Sequence, residues 1–112
     1  MAIELPVLPA LRMALRAPDV EGPLEVATLL ADRTRASILA LLADGPHCVC
    51  EMAAAVGARE NNVSNHLARL REAGLVRASR HGGDSRRVYY ERDEAACADA
   101  LTRLRTLLAP HA

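Results

Sequence analysis

Residues 60–74 read ENNVSNHLARLREAG, and this stretch decides the fold. At about 100° per residue, it predicts a helix over residues 60–73 that ends at Gly74. One face of this helix is apolar and consists of Val63, Leu67 and Leu70. The opposite face is polar and consists of Asn61, Asn65 and Arg69, flanked by Asn62 and His66. An apolar face predicts packing on a core, and the polar face is left for solvent or for a partner.

The polar side chains of this helix are of the types that read DNA bases. Asparagine pairs bidentately with adenine and arginine with guanine in the major groove, so the outer face suits a recognition helix. The alternative is an exposed polar helix that binds nothing. The candidate DNA-contacting residues on it are Asn61, Asn62, Ser64, Asn65, His66 and Arg69.

The segments on either side of the helix favour DNA binding. A shorter helix is predicted over residues 48–56, and its connection through Gly57 is typical of a helix-turn-helix. Beyond Gly74, strand-like runs at residues 75–80 and 86–91 flank the glycine-rich segment 81–85. This pattern predicts a β-wing, which also carries His81. Three wing arginines are expected to contact phosphates: Arg80, Arg86 and Arg87.

The whole chain fits one winged helix-turn-helix domain, mostly α with a two-stranded β-wing. At 112 residues it has the length of a single domain, with residues 33–92 as the DNA-binding core and wing. Further helices are predicted over residues 24–31, 35–42 and 94–108. Two apolar stripes exceed what so small a core covers: Leu8, Leu11 and Leu15, and Cys97, Leu101, Leu104 and Leu108. We therefore expect a homodimer formed by segments 1–31 and 93–112.

Charge and composition limit the kinds of partner that the protein is expected to bind. The formal net charge is zero, but residues 59–92 hold eight arginines against four acids, as expected of a face that contacts phosphates. A charged surface that contacts only solvent would show the same excess of arginines. Because the chain has only two aromatic residues, Tyr89 and Tyr90, binding of single strands by base stacking is disfavoured. Double-stranded DNA is the expected partner.

Three cysteines, an odd number in a chain without a signal peptide, favour a reducing compartment over a disulfide framework. The apolar opening is broken by charges and prolines, so we expect a cytoplasmic protein without a membrane partner. No prosthetic group is expected.

The motif Cys48-Val49-Cys50 is a candidate ligand site. Soft thiolates favour As(III), Sb(III), Cd(II), Pb(II) and Zn(II) over hard cations. On a regular helix, residues two apart are separated by about 200°, so both sulfurs reach one ion only if the first turn is loosened. His47 and Glu51 are candidates to complete a zinc-like tetrahedron, and Cys97 is a candidate third thiolate or an interface residue. The alternative is that the cysteines are small buried residues.

Taken together, these motifs resemble the ArsR/SmtB family of winged-helix repressors. The resemblance covers residues 25–93 and rests on LADRTR at 30–35, CVCEMA at 48–53, VSNHL at 63–67 and RVYY at 87–90. It implies a homodimer that leaves its operator on binding a metal or metalloid, and an arsenical site at the Cys-x-Cys motif.

Several positions depart from the pattern of that family. Arg33 stands where the family usually has proline, and Arg59 where it has a serine or threonine that caps the recognition helix. Ala53 stands where some members have a third thiol. Of the family's C-terminal zinc ligands only Glu94 matches, since the other positions are Ala96, Leu107 and Pro110, and His111 is a poor substitute.

Three function classes follow. The leading one is a repressor released by As(III), Sb(III) or a soft divalent metal at Cys48 and Cys50, and its rival is the same fold used as a thiol redox or persulfide sensor. A second class is a DNA-binding module that responds to no ligand. An enzyme is disfavoured, because the sequence has no nucleophile set, carboxylate pair or phosphate loop.

Overall fold

The computed structural model describes residues 17–79 and 86–110. Five helices and three strands lie in these ranges: α1 (Glu21–Leu30), α2 (Arg33–Leu42), β1 (His47–Cys48), α3 (Val49–Val56), α4 (Glu60–Glu72), β2 (Val76–Ala78), β3 (Tyr89–Arg92) and α5 (Glu94–Leu108). Some of the expectations lie outside the described residues: the stripe of Leu8, Leu11 and Leu15, the wing tip with Arg80 and His81, and His111.

The helices follow from their caps and apolar faces. The Asp32 carboxylate accepts a hydrogen bond from the Arg35 amide at 3.0 Å and thereby starts α2 at Arg33, where the missing proline has no effect on the helix start. The first turn of α4 has no side-chain cap at Arg59, as the departure at this position predicts. The predicted start of α3 at Cys48 is wrong by one residue, because Cys48 is extended and paired in a strand.

The sheet has three strands where the sequence predicts two. Its order is β1-β3-β2 and all pairs are antiparallel, with Cys48 opposite Tyr89 and Ala78 opposite Tyr90. The second wing strand runs over Tyr89–Arg92 rather than residues 86–91, since Tyr89 and Tyr90 pair with β1 and residues 90–92 pair with β2. The wing is therefore hydrogen-bonded to the segment that carries the cysteine motif.

The core lies where α2, α3 and α4 meet the sheet. The predicted apolar face of α4 is buried, and it packs in one cluster with α2, α3 and the start of β2. The fully enclosed side chains are Ile38, Met52, Val63, Leu67 and Leu70. Burial of these side chains is the main driving force that holds α4 against α2 and α3.

The turn between α3 and α4 depends on a glycine. Gly57 has φ 68°, a left-handed conformation that costs other residues energy, and its amide donates to the Ala53 carbonyl. Ala58 donates to the same carbonyl at 3.1 Å. The chain is thus turned within three residues, which sets α4 at an angle to α3.

The outer helices leave apolar surface exposed. Helix α5 packs on α1 but contains no buried residue. Leu101 is 53% exposed and Leu108 77%, and Leu24 of α1 is 50% exposed. This uncovered surface lies on the helices for which a dimer interface is predicted. Within the two described ranges, no helix is long and apolar enough to cross a membrane.

Replacing Leu70 with alanine should lower the free energy of unfolding by about 2–5 kcal/mol, because Leu70 is fully buried and the surrounding helices cannot close the cavity. Urea unfolding at a fixed protein concentration measures the change. The exposed Glu72→Ala on the same helix is the control and should stay within about 0.5 kcal/mol of the parent. A similar loss in both variants would contradict the assignment of Leu70 to the core.

Candidate DNA interface and thiol site

The outer face of α4 is open to a partner. Five of the six candidate residues on this helix are exposed, namely Asn61, Asn62, Ser64, Asn65 and Arg69. They lie on the helix whose other face is the core, so a partner can reach them without unfolding the domain. Arg86 and Arg87 are also exposed, at the base of the wing. Together these side chains form a surface of amides and guanidinium groups.

The remaining candidate on α4, His66, is turned inward. Its ring is half-buried, and its Nδ1 lies 3.1 Å from the guanidinium of Arg35, while its Nε2 lies 3.8 Å from the Asp32 carboxylate. Because arginine only donates, Nδ1 accepts and the ring proton is on Nε2, facing Asp32. Within the protomer, His66 thus contacts α2 and its N-cap.

Arg35 connects three helices. Its Nε donates to the Leu29 carbonyl at 2.6 Å, at the end of α1, while its other nitrogens reach His66 and the Thr28 carbonyl. A carbonyl at a helix end has no partner within the helix, and here a cation supplies one. The end of α1, the start of α2 and the middle of α4 are therefore joined by one side chain. No local pattern in the sequence indicates this contact.

Part of the basic segment is neutralised within the chain. Arg77 lies 3.4 Å from both Glu91 and Asp93, and Arg92 lies 3.0 Å from Glu94. Arg71 stacks over the Tyr90 ring at 5.4 Å and ties α4 to β3. The arginines available to phosphates are therefore fewer than the charge count indicates.

The first cysteine of the motif is the N-cap of α3. Cys48 is buried, with 2% of its surface exposed, and its Sγ accepts from the Glu51 amide at 3.4 Å. The Glu51 carboxylate accepts in return from the Cys48 amide at 3.2 Å, which completes a capping box. Burial, then hydrogen bonding with the Cys50 side chain, raises the pKa of the Cys48 thiol. The hydrogen bond that the Cys48 amide donates to the Glu51 carboxylate lowers the pKa of Glu51.

The second cysteine contacts the wing. Cys50 lies in the first turn of α3 and is half-buried. The Arg87 guanidinium donates to its Sγ at 3.5 Å. Electrostatic interaction with Cys50, and then with Cys48, raises the pKa of Arg87 above its already high ordinary value. This contact spans 37 positions of the chain and has no local sequence signal.

Cys97 lies apart from the motif. Its thiol is directed to the Leu75 carbonyl at 3.8 Å, and burial raises its pKa. It lines an apolar cavity of about 160 Å³ together with α1, α2 and α5 leucines: Leu30, Leu39, Leu101 and Leu104. These surroundings are those of an interface or core residue.

The described residues contain no group of three or more histidine, cysteine or acidic side chains placed to hold a metal. His47 is paired instead with Glu51, at 3.3 Å from its carboxylate. Neither Cys97 nor the pair His47 and Glu51 joins the two motif sulfurs in this arrangement. In the part of the chain that the structure describes, the two motif sulfurs therefore have no third metal-ligating side chain beside them.

The fold and these surfaces are those of a winged helix-turn-helix protein, a class of regulator that binds DNA. The model of the family described as "Bacterial regulatory protein, arsR family" matches residues 32–78. The chain belongs to this ArsR family of regulators.

Individual relatives agree with this assignment. The chain is 39% identical over 61 residues to the arsenical resistance operon repressor of Escherichia coli K12, which covers 54% of this chain and 52% of the relative. Thus the chain spans about half the length of the curated relatives it matches.

Two solved structures extend the likeness. One is described as a possible transcriptional regulator for arsenical resistance, with 34% identity, a TM-score of 0.60, and 74% of this chain and 79% of that chain covered. The other is a homodimeric winged helix-turn-helix DNA-binding domain from Mycobacterium bovis, with 31% identity, a TM-score of 0.59, and 83% and 88% covered. The winged fold expected from the sequence is confirmed.

Acidic pH should weaken the cap that Asp32 provides at the start of α2. The amide of Arg35 holds the pKa of this carboxyl below its ordinary value of 3.8. A lowered pKa stabilises the fold above 3.8, and the stabilisation is lost as the pH falls through the folded value. We therefore expect Asp32→Asn, which keeps a capping side chain, to be less stable than the parent at neutral pH and equal to it in strong acid.

Urea unfolding at a series of pH values measures this difference, with Asp44→Asn, an exposed acid in the turn after α2, as the control. A difference between parent and Asp32→Asn that stays the same from neutral to strongly acidic pH would contradict the role of the charge.

Proposed function

We propose that this protein is a homodimeric transcriptional repressor that binds double-stranded operator DNA in the cytoplasm. It leaves the operator when As(III) or Sb(III), or a soft divalent metal such as Cd(II), Pb(II) or Zn(II), binds Cys48 and Cys50. The observation that carries the proposal is the position of the two sulfurs at the start of α3, directly behind the recognition helix and beside the wing.

The DNA-binding half rests on α4. Its exposed asparagines and Arg69 enter the major groove, and Arg86 with Arg87 contacts the flanking phosphates, joined by Arg80 of the wing. His66 contributes by holding α4 against α2, because its ring already has partners there.

The dimer follows from the exposed leucines of α1 and α5. Such a patch on a small domain marks an interface, and a two-fold axis would place two copies of α4 on one face of the DNA. Half-sites about 34–36 Å apart then form an inverted repeat. The homodimeric relative from Mycobacterium bovis supports this arrangement.

The sensing half rests on the backbone at Cys48. Two cysteines within a regular helix would point about 200° apart, but Cys48 has φ −87° and ψ 166° and lies outside the helix. The Cys50 side chain is near enough to Cys48 to help raise the pKa of its thiol, which supports the two sulfurs sharing one ion. Two thiolates are a suitable donor set for thiophilic ions.

Release follows from the capping role of the same sulfur. An ion on Cys48 Sγ takes one sulfur lone pair and reorients the side chain, so the hydrogen bond from the Glu51 amide is weakened and the first turn of α3 is capped less well. Helix α3 packs on α4 through Met52 and Ala53. Loosening this support changes the position of the recognition helix.

Two of the three thiols have surroundings that do not favour the redox alternative. Redox-sensing cysteines are reactive because their pKa is lowered, whereas burial raises the pKa of Cys48 and of Cys97. A metal or metalloid, which displaces the thiol proton as it binds, does not depend on a thiol that is acidic beforehand.

We expect Cys48→Ser and Cys50→Ser each to bind operator DNA with near-parental affinity and to stay bound when As(III) is added. Serine keeps a small polar side chain in place and removes the soft ligand. Fluorescence anisotropy with labelled operator, titrated with As(III), measures both properties. Release of the double variant at the parental As(III) concentration would rule out the sensing mechanism and leave a DNA-binding module without this ligand site.

The matched variant Cys97→Ser tests the third ligand. If Cys97 supplies a thiolate, for example from the partner protomer, its loss weakens As(III) affinity strongly. If it is an interface residue, its loss lowers dimer stability, measured by sedimentation, and spares the response.

Arg69 and Arg86 should differ in what they contribute to binding. Arg69→Ala removes a base contact, so it should cost about 1–3 kcal/mol per half-site and relax sequence preference. Arg86→Ala removes a phosphate contact and should weaken specific and random DNA alike while flattening the salt dependence. Anisotropy titrations on operator and random duplexes at several salt concentrations distinguish them. Equal weakening of both duplexes by Arg69→Ala would mean that another face of α4 enters the groove.

A further inference from the structure

We propose that Arg87 couples the thiol pair to the wing, so that a ligand at the cysteines acts on the wing directly as well as on the recognition helix. This inference rests on the proposed function, since it concerns the regulation of the same site. It starts from two independent links between the cysteine motif and β3.

The first link is in the backbone. Strand β1 consists of His47 and Cys48, and it pairs with Tyr90 and Tyr89 of the wing. On the other side of β3, the Ser79 amide donates to the Tyr89 carbonyl at 2.7 Å. Tyr89 is therefore the residue at which both wing strands and the cysteine segment meet.

The second link is in the side chains. Arg87 lies two residues before Tyr89, and its Nη1 donates to Cys50 Sγ at 3.5 Å. Cys48 and Cys50 are thus connected to the wing by different means, one through its backbone and the other through its sulfur. A displacement of Cys48 would therefore act on Tyr89, and a displacement of the Cys50 sulfur would act on Arg87, two residues earlier in the wing.

The chemistry of the contact makes it sensitive to a ligand. The guanidinium has only donors and keeps its charge, so it requires an acceptor lone pair on sulfur. A soft ion at Cys50 takes one of the sulfur lone pairs and fixes the direction of the others, and a divalent cation also repels the guanidinium. Binding of the ion and the Arg87 contact therefore compete.

The Arg87 contact affects DNA binding through the position of the wing relative to the recognition helix. In the ligand-free protein, Arg87 fixes the base of the wing against α3, and α3 is packed against α4. Wing and recognition helix then fit one duplex together. When an ion occupies Cys50, Arg87 is released and this relation is loosened, which weakens phosphate contacts made by the wing.

The test compares Arg87→Gln with Arg86→Gln, which removes the same charge one position away. Operator affinity is measured by anisotropy with and without Cd(II). Cd(II) affinity without DNA is measured by the sulfur-to-metal charge-transfer absorption. For Arg86→Gln we expect both operator affinities to fall by the same factor, with Cd(II) affinity unchanged.

For Arg87→Gln we expect the ligand-free affinity to fall more than the Cd(II)-loaded affinity. The ratio of the two should therefore shrink by about two- to tenfold, the range that one hydrogen bond supplies. By linkage, Cd(II) should bind the DNA-free variant more tightly, because no contact is broken on binding. Arg87→Lys, which keeps the charge but lacks the planar guanidinium with its several donors, should give a ratio between those of the parent and Arg87→Gln.

An unchanged ratio and an unchanged Cd(II) affinity in Arg87→Gln would overturn the coupling and leave the proposed function intact. Absence of the charge-transfer band in the parent, or its persistence in the Cys48→Ser, Cys50→Ser double variant, would show that this thiol pair does not hold Cd(II) and would overturn the coupling. The As(III) titration of the same double variant decides the proposed function separately. Circular dichroism confirms that each variant is folded.

Discussion

The packing of the apolar face of α4 on α2 and α3 is the constraint on which the other features depend. Val63, Leu67 and Leu70 are buried against Ile38 and Met52, and this fixes which side of α4 remains outside. The polar side chains of the helix are exposed because the apolar ones are not. The same cluster places the first turn of α3, with its two cysteines, behind the recognition helix. The proposed DNA-contacting face and the proposed thiol site thus lie on two sides of one core.

The thiol segment has more than one structural role. Cys48 ends a strand, caps a helix and offers a sulfur, while Cys50 accepts from the wing. A residue with several partners in the ligand-free state cannot bind an ion without losing some of them. In such a site the affinity for the ion is reduced by the contacts that are lost, and that reduction is the energy available for regulation.

The sequence predicts most of the fold and part of the site. The spacing of Val63, Leu67 and Leu70 predicts the buried face of α4 correctly, since helical periodicity is a local property. A two-residue strand has no periodicity, so the pairing of Cys48 with Tyr89 was not predictable, and the start of α3 was placed one residue early. His66 lies about 60° from Val63 around the helix, near enough to the apolar face for a partner on α2. The contact between Arg87 and Cys50 joins distant parts of the chain, and no local pattern encodes it.

The contacts of Arg35 have a mechanical consequence for the proposed dimer. This side chain joins the last carbonyls of α1 to the middle of α4 through His66. Helix α1 belongs to the proposed interface and α4 carries the proposed DNA-contacting face, so a rotation of one protomer against the other would reach α4 through this side chain. The distance between the two copies of α4 would then be set at the dimer interface, far from the DNA. Variation among relatives in that interface would retune the spacing of the operator half-sites without any change in the residues that read bases.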